Sequence, residues 1–182
     1  NVIVELRIDM CYALARAYFH KFTAKELEKG LFYINKCFEL SEEAEMEYFL
    51  LKIDILVALK KYDEAKETIS KAQSTFGNAG DLYYAKEKVS YSIALDKIAK
   101  EDISYKDDLN DALAYLDIYE KYSKNKYVIA LTKVEIYTAL KEYDTALKIL
   151  DDLTDENNIE SIAIEKIKIY ETSGRIDEAI SL

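Results

Sequence analysis

Apolar residues return every three to four positions along almost the whole chain, in blocks separated by short polar breaks. Phe49, Ile53, Leu56 and Leu59 mark one block, and Ala130, Val134, Tyr137 and Leu140 another. That spacing predicts amphipathic helices rather than strands. After a break of about three residues each block is followed by a second one, Ala65, Ile69 and Ala72 in the first case and Ala146, Leu150 and Leu153 in the other. The expected element is a hairpin of two antiparallel helices.

The hairpins repeat. Lys52-Ile-Asp-Ile-Leu-Val-Ala-Leu-Lys-Lys-Tyr-Asp-Glu-Ala65 aligns with Lys133-Val-Glu-Ile-Tyr-Thr-Ala-Leu-Lys-Glu-Tyr-Asp-Thr-Ala146 and with Lys166-Ile-Lys-Ile-Tyr-Glu-Thr-Ser-Gly-Arg-Ile-Asp-Glu-Ala179. A small residue opens each second helix, at Gly30, Ala65, Ala112, Ala146 and Ala179, with spacings of 35, 47, 34 and 33 residues. The period is therefore near 34, the range of repeat architectures. A small anchor is expected where two helix axes approach most closely, and a Leu there would overpack the crossing at a cost of about 1–3 kcal/mol.

Start signals divide the chain in the same way. Thr23-Ala-Lys-Glu26 reads as a capping box opening the second helix of the first unit. Ser41-Glu-Glu reads as the opening of the first helix of the second unit, with acids where the helix dipole favours them. Phe76-Gly-Asn-Ala-Gly80 and Asp155-Glu-Asn-Asn158 are expected breaks before the third and fifth units.

Hairpins of this length carrying Ala58-Leu-Lys-Lys-Tyr-Asp-Glu-Ala65, Ala139-Leu-Lys-Glu-Tyr-Asp-Thr-Ala146 and Thr172-Ser-Gly-Arg-Ile-Asp-Glu-Ala179 resemble the tetratricopeptide repeat (TPR) family. The resemblance spans one repeat domain over residues 1–182, with approximate units 5–40, 41–77, 78–125, 126–158 and 159–182. The second, fourth and fifth units match strongly, the first and third diverge, and the fifth is cut short. The fold it implies is all-α, an α-solenoid of antiparallel helix hairpins in a TPR-like right-handed superhelix, with the first helices lining the concave side.

On that resemblance the lining residues are Leu50, Leu51, Asp54, Val57 and Ala58 in the second unit and Leu131, Thr132, Glu135, Thr138 and Ala139 in the fourth. In the fifth they are Ile164, Glu165, Lys168, Glu171 and Thr172, and in the first Tyr12, Arg16 and Phe19. Two departures stand out. Ile53, Val134 and Ile167 occupy mid-helix positions where the family usually has Gly or Ala. The third unit carries about thirteen extra residues near Ile98–Asp108, which make either a longer Tyr83–Lys100 helix or an ordered loop.

Composition narrows the function. The chain has 182 residues, no proline, four glycines and sixteen tyrosines, too few turn formers for a many-stranded β fold. The tyrosines are expected to fill gaps between hairpins, with Tyr62 and Tyr143 packing at the turns. Lys+Arg of 25 against Asp+Glu of 35 leaves a net charge of −10, distributed as +1 over residues 1–40 and −11 over the remainder. No basic run exceeds two residues, which argues against nucleic acid as a partner. No apolar stretch approaches the ~20 residues a bilayer-spanning helix needs, so no membrane insertion is expected.

One histidine and two cysteines, Cys11 and Cys37, supply no zinc-ligand spacing. The cysteines read as buried thiols of a reducing compartment, with a Cys11–Cys37 disulfide left open. No nucleophile motif or phosphate-binding loop is present, and Asp151–Asn158 lacks the glycine and distal Glu of a calcium loop. The expectation is a cytoplasmic, non-enzymatic scaffold or adaptor with no cofactor and no metal, excised from a longer protein. The alternative is the peptide- or ligand-sensing repeat domain of a bacterial transcription regulator. TPR proteins that clamp acidic chaperone tails use Lys, Arg and Asn on first helices, where this chain has Asp54 and Glu135. The expected partner is therefore a basic or amphipathic protein or peptide, and self-association is possible.

Overall fold

The structure, a computed structural model, describes residues 2–153 and 158–182. Ten helices follow one another: α1 (Val2–Phe19), α2 (Ala24–Leu40), α3 (Met46–Ala58), α4 (Tyr62–Phe76), α5 (Gly80–Ala99), α6 (Tyr105–Tyr119), α7 (Lys126–Ala139), α8 (Tyr143–Asp152), α9 (Ile159–Thr172) and α10 (Ile176–Ser181). No strand occurs among the described residues. Each odd helix packs on the even helix that follows it, and α1–α3 and α3–α5 also touch, so the first three first helices form a row of their own. The architecture is an all-α array of consecutive helix pairs.

Three hairpins turn in the same way because the same short sequence closes their first helix. The central residue of each three-residue turn is left-handed: Lys60 at φ 58°, Lys141 at 65° and Gly174 at 76°. The next residue then donates its N–H five positions back, Lys61 to Leu56, Glu142 to Tyr137 and Arg175 to Tyr170, each at 2.8 Å. This pairing satisfies carbonyls the helix end leaves open. The anchors follow as expected: Ala65, Ala112 and Ala146 are fully buried, while Ala179, with no further hairpin packed on it, is partly open.

The third hairpin is long because its helices are long. Helix α5 has seven residues more than α3, the turn has two more than its counterparts, and Ala112 is the eighth residue of α6 where Ala65 is the fourth of α4. The extension is tied across by Lys97 to Asp108 at 2.6 Å. At the opposite end of the hairpin Tyr84 and Tyr119 stack, centroids 4.9 Å apart. Where α5 begins, Gly80 lies against the far end of α6, and a Cβ there would stand 2.6 Å from Tyr122 Cβ.

Two start signals need correction. Ser41 does not open a helix; it caps the C-terminus of α2, its N–H bonded to Cys37 O at 2.9 Å, and α3 starts at Met46. Only half of the expected capping box forms. Thr23 Oγ1 accepts from the Glu26 N–H at 3.3 Å, but the Glu26 carboxylate turns to Lys29 and Lys21. The Phe76–Gly80 break lies where expected, and the Asp155–Asn158 break falls, apart from Asn158, outside the described residues.

A lysine recurs at the same place in the second to fifth first helices, and in the last two it ties its hairpin to the one before. Lys133 reaches back to Asp117 and Glu120, both at 2.8 Å, and Lys166 to Asp151 at 2.6 Å. Asp117 and Asp151 each stand five residues beyond an anchor. In the second hairpin the equivalent acceptor positions hold Asn35 and Phe38, and Lys52 instead lies 5.3 Å over the Phe38 ring. Half-buried and close to Lys71, its ammonium is held below the ordinary lysine value by burial first and that like charge second. In the third hairpin Lys86 faces Ser70 and Gln73, and a hollow of about 210 Å³ remains there.

Candidate functional site

The first-helix row is where the lining residues were expected, and the structure sorts them unevenly. Tyr12 lies tilted against Tyr48, centroids 5.4 Å apart, with the Arg16 guanidinium 5.9 Å over its ring. Leu50 and Val57 are partly buried against the core. Leu51 is 8 % exposed and belongs to the core itself, a correction to its expected place on the lining. Helix α3 is flanked by α1, α2, α4 and α5, which leaves it little free surface.

Asp54 also differs from expectation. It is not an open carboxylate, because Lys88 of α5 donates to its Oδ1. The charge that was to repel an acidic ligand is balanced within the fold. Along α7, Leu131 packs into the third core cluster, while Thr132 and Thr138 bond back to the carbonyls of Val128 and Val134 at 3.0 and 2.8 Å. Ile164 is 46 % exposed, and Lys168 pairs with Glu165 one turn away at 2.7 Å.

Glu135 remains as an unpaired acid, and the structure sets a second one beside it. Glu87 of α5 is 2 % exposed, the one buried Asp or Glu among the described residues. Neither Glu87 nor Glu135 has an ion pair or hydrogen bond there. Burial pushes the Glu87 carboxyl up to about 7; Lys88 pulls it down and Glu135 adds to the rise. Glu135 is raised first by loss of hydration and then by Glu165, with Lys168 opposing.

Two tyrosines flank this pair from the same face of α5, one turn before and one turn after Glu87. Burial, followed by the nearby carboxylates, raises both Tyr84 and Tyr91. Tyr84 is occupied, stacked on Tyr119 with the Lys88 ammonium 5.2 Å from its ring centroid. Tyr91 has no ring, cation or hydrogen-bond partner among the described residues. A cavity of about 100 Å³ opens alongside, lined by Tyr84, Tyr119, Asn125 and Thr132 among others.

Reading the sequence did not single out Tyr84, Glu87 or Tyr91. The available signal was a Glu set between two Tyr at helical spacing, on a different face from Leu82, Ala85 and Val89. The irregular length of the third unit hid the register that gives this pattern meaning.

Cys37 is fully buried, its thiol directed at the carbonyls of Tyr33 and Ile8 and pushed up to about 11 by burial, and both cysteines are free. Among the described residues no three His, Cys, Asp or Glu are grouped to hold a metal ion, and no helix is long and apolar enough to cross a membrane. Compared with family models, curated proteins and solved structures, the chain matches none.

Proposed function

We propose that the chain is a tetratricopeptide-like repeat domain acting as a non-enzymatic interaction scaffold, with the first-helix row as the surface that takes a peptide or helix. The observation that carries this is the row itself. Leu50 and Val57 on α3 and Ile164 on α9 are partly exposed apolar side chains, and Glu135 on α7 is an exposed carboxylate with no ion pair. An amphipathic segment with basic positions complements such a surface in shape and charge. Asp54 contributes little to that preference because Lys88 balances it, and Glu87 is buried; Glu135 carries it.

The test is selection of peptides from a displayed random library on the immobilised protein, followed by hydrogen exchange of each complex. Bound peptides should slow exchange in α3, α5 and α7. Protection confined to the second helices refutes the assignment of this face.

A further inference from the structure

The lysine that ties later hairpins together meets no acid at the joint between the second and third. At the next joint Lys133 reaches Asp117 and Glu120, both at 2.8 Å. Those acids stand five and eight residues beyond their anchor, and the same positions after Ala65 hold Ser70 and Gln73. Lys86 faces these two across the hollow of about 210 Å³, and Lys66 lines it from α4. No Asp or Glu lines the hollow among the described residues, and neither lysine has an ion pair there. Lys86 lies 5.3 and 5.5 Å from the ring centroids of Tyr83 and Tyr115, contacts that orient an ammonium without cancelling its charge. The Ser70 hydroxyl donates to Lys66 O at 3.0 Å and the Gln73 amide to Asn78 Oδ1 at 3.2 Å. The lining donors left without a hydrogen-bond partner among the described residues are the two ammoniums and the hydroxyls of Ser90 and Tyr115. The joint before this one differs, because Lys52 there lies over Phe38 and the second lysine, Lys71, is paired with Glu67 at 2.7 Å.

We propose that the hollow between α4, α5 and α6 binds one carboxylate of an outside acid, held by Lys66 and Lys86 in the place that Asp117 and Glu120 fill one joint on. Carboxylate is the group this fold already sets against the same lysine at the next two joints. Two ammoniums on adjoining helices suit it, since each turns its three donors freely and a carboxylate accepts along both oxygens. The volume is below the roughly 300–1,000 Å³ that encloses a drug-sized ligand, so the occupant is a single acidic side chain or a small free acid. The seat lies among α4, α6 and the side of α5 turned to them, and it does not rest on the peptide surface of the first helices.

The test is a titration of the protein, isotope-labelled at its lysine side chains, with glutarate and separately with N-acetyl-glutamate methylamide at fixed ionic strength. The Lys66 and Lys86 Cε resonances should move together and saturate, while N-acetyl-glutamine methylamide leaves them in place. Saturation by both acids assigns the seat to a partner's side chain, and saturation by glutarate alone assigns it to a free acid. Lys86→Met deletes the ammonium, keeps the stem, and should weaken binding by roughly tenfold or more, the usual loss for a charged hydrogen-bonded partner. Ser70→Asp places an acid where Asp117 stands one joint on, and should compete from within by a similar factor. Resonances that do not saturate, that respond equally to the glutamine amide, or that saturate as readily in either variant overturn the proposal. Inorganic phosphate that saturates the site at lower concentration than either acid overturns the carboxylate assignment. Peptides that select against the first-helix face decide the other surface alone, so the two readings fail separately.

Discussion

Replacing Glu87 by Gln should make the protein more stable at neutral and alkaline pH, which is unusual for a change at a 2 % exposed position. The native carboxyl is raised from an ordinary 4.5 to about 7, first by burial. The folded state therefore keeps a proton that the unfolded chain releases above pH 4.5. The contribution of that proton to stability is whole below pH 4.5, falls as pH rises, and is gone once pH passes about 7. At about 1.4 kcal/mol per pH unit, the interval corresponds to roughly 3 kcal/mol between the two limits. Glutamine has the same shape and no titration. Urea unfolding at pH 4.5 and at pH 8 should show the variant close to the parent in acid and more stable by about 2–3 kcal/mol in alkali. The groups facing Glu87, namely Lys88, Tyr84 and Tyr91 on its own helix and Glu135 on α7, stay in place in the variant, and the opposing pulls of Lys88 and Glu135 on the carboxylate are already contained in its raised value. Glu160→Gln, at an exposed position of α9, is the control and should change nothing. A parent and variant with parallel pH profiles would refute the claim that Glu87 is buried without a partner.

Three further outcomes follow from the repeat geometry. At equivalent turn positions Lys60→Gly should stabilise, by up to ~1 kcal/mol, because the left-handed backbone strains a side chain more than glycine loses in entropy. Gly174→Ala should destabilise by about 1 kcal/mol for the same reason, and equal signs in thermal unfolding would contradict the shared turn. Asn35→Asp restores the acid that Asp117 and Asp151 supply to the next lysine, so Lys52 should titrate higher by NMR and stability should rise by up to ~1 kcal/mol; a Lys52 that titrates unchanged removes the proposed register. Gly80→Ala forces a Cβ within 2.6 Å of Tyr122 Cβ and should cost about 1–3 kcal/mol in chemical denaturation, whereas no loss would mean the α5–α6 contact is looser than described.

What the sequence determined by itself was local. The three-residue turns at Lys60, Lys141 and Gly174 and the small anchors at Ala65 and Ala146 depend on a few consecutive residues, which close the same backbone hydrogen bonds wherever they occur. Helix periodicity and the absence of strands follow from the same short-range pattern. The extra length of the third unit was visible as a count, but not as added turns on both of its helices. The site residues were decided one step further out. Leu51 is buried because four helices crowd α3, and Asp54 is neutralised because α5 delivers Lys88 to it. Glu87 is left unpaired for the same kind of reason, since its neighbour Lys88 is taken by Asp54 of α3 and the charge it senses from α7 is another carboxylate, Glu135. Those relations join residues of different hairpins, and their register passes through the irregular third unit. Only the packed structure could assign it.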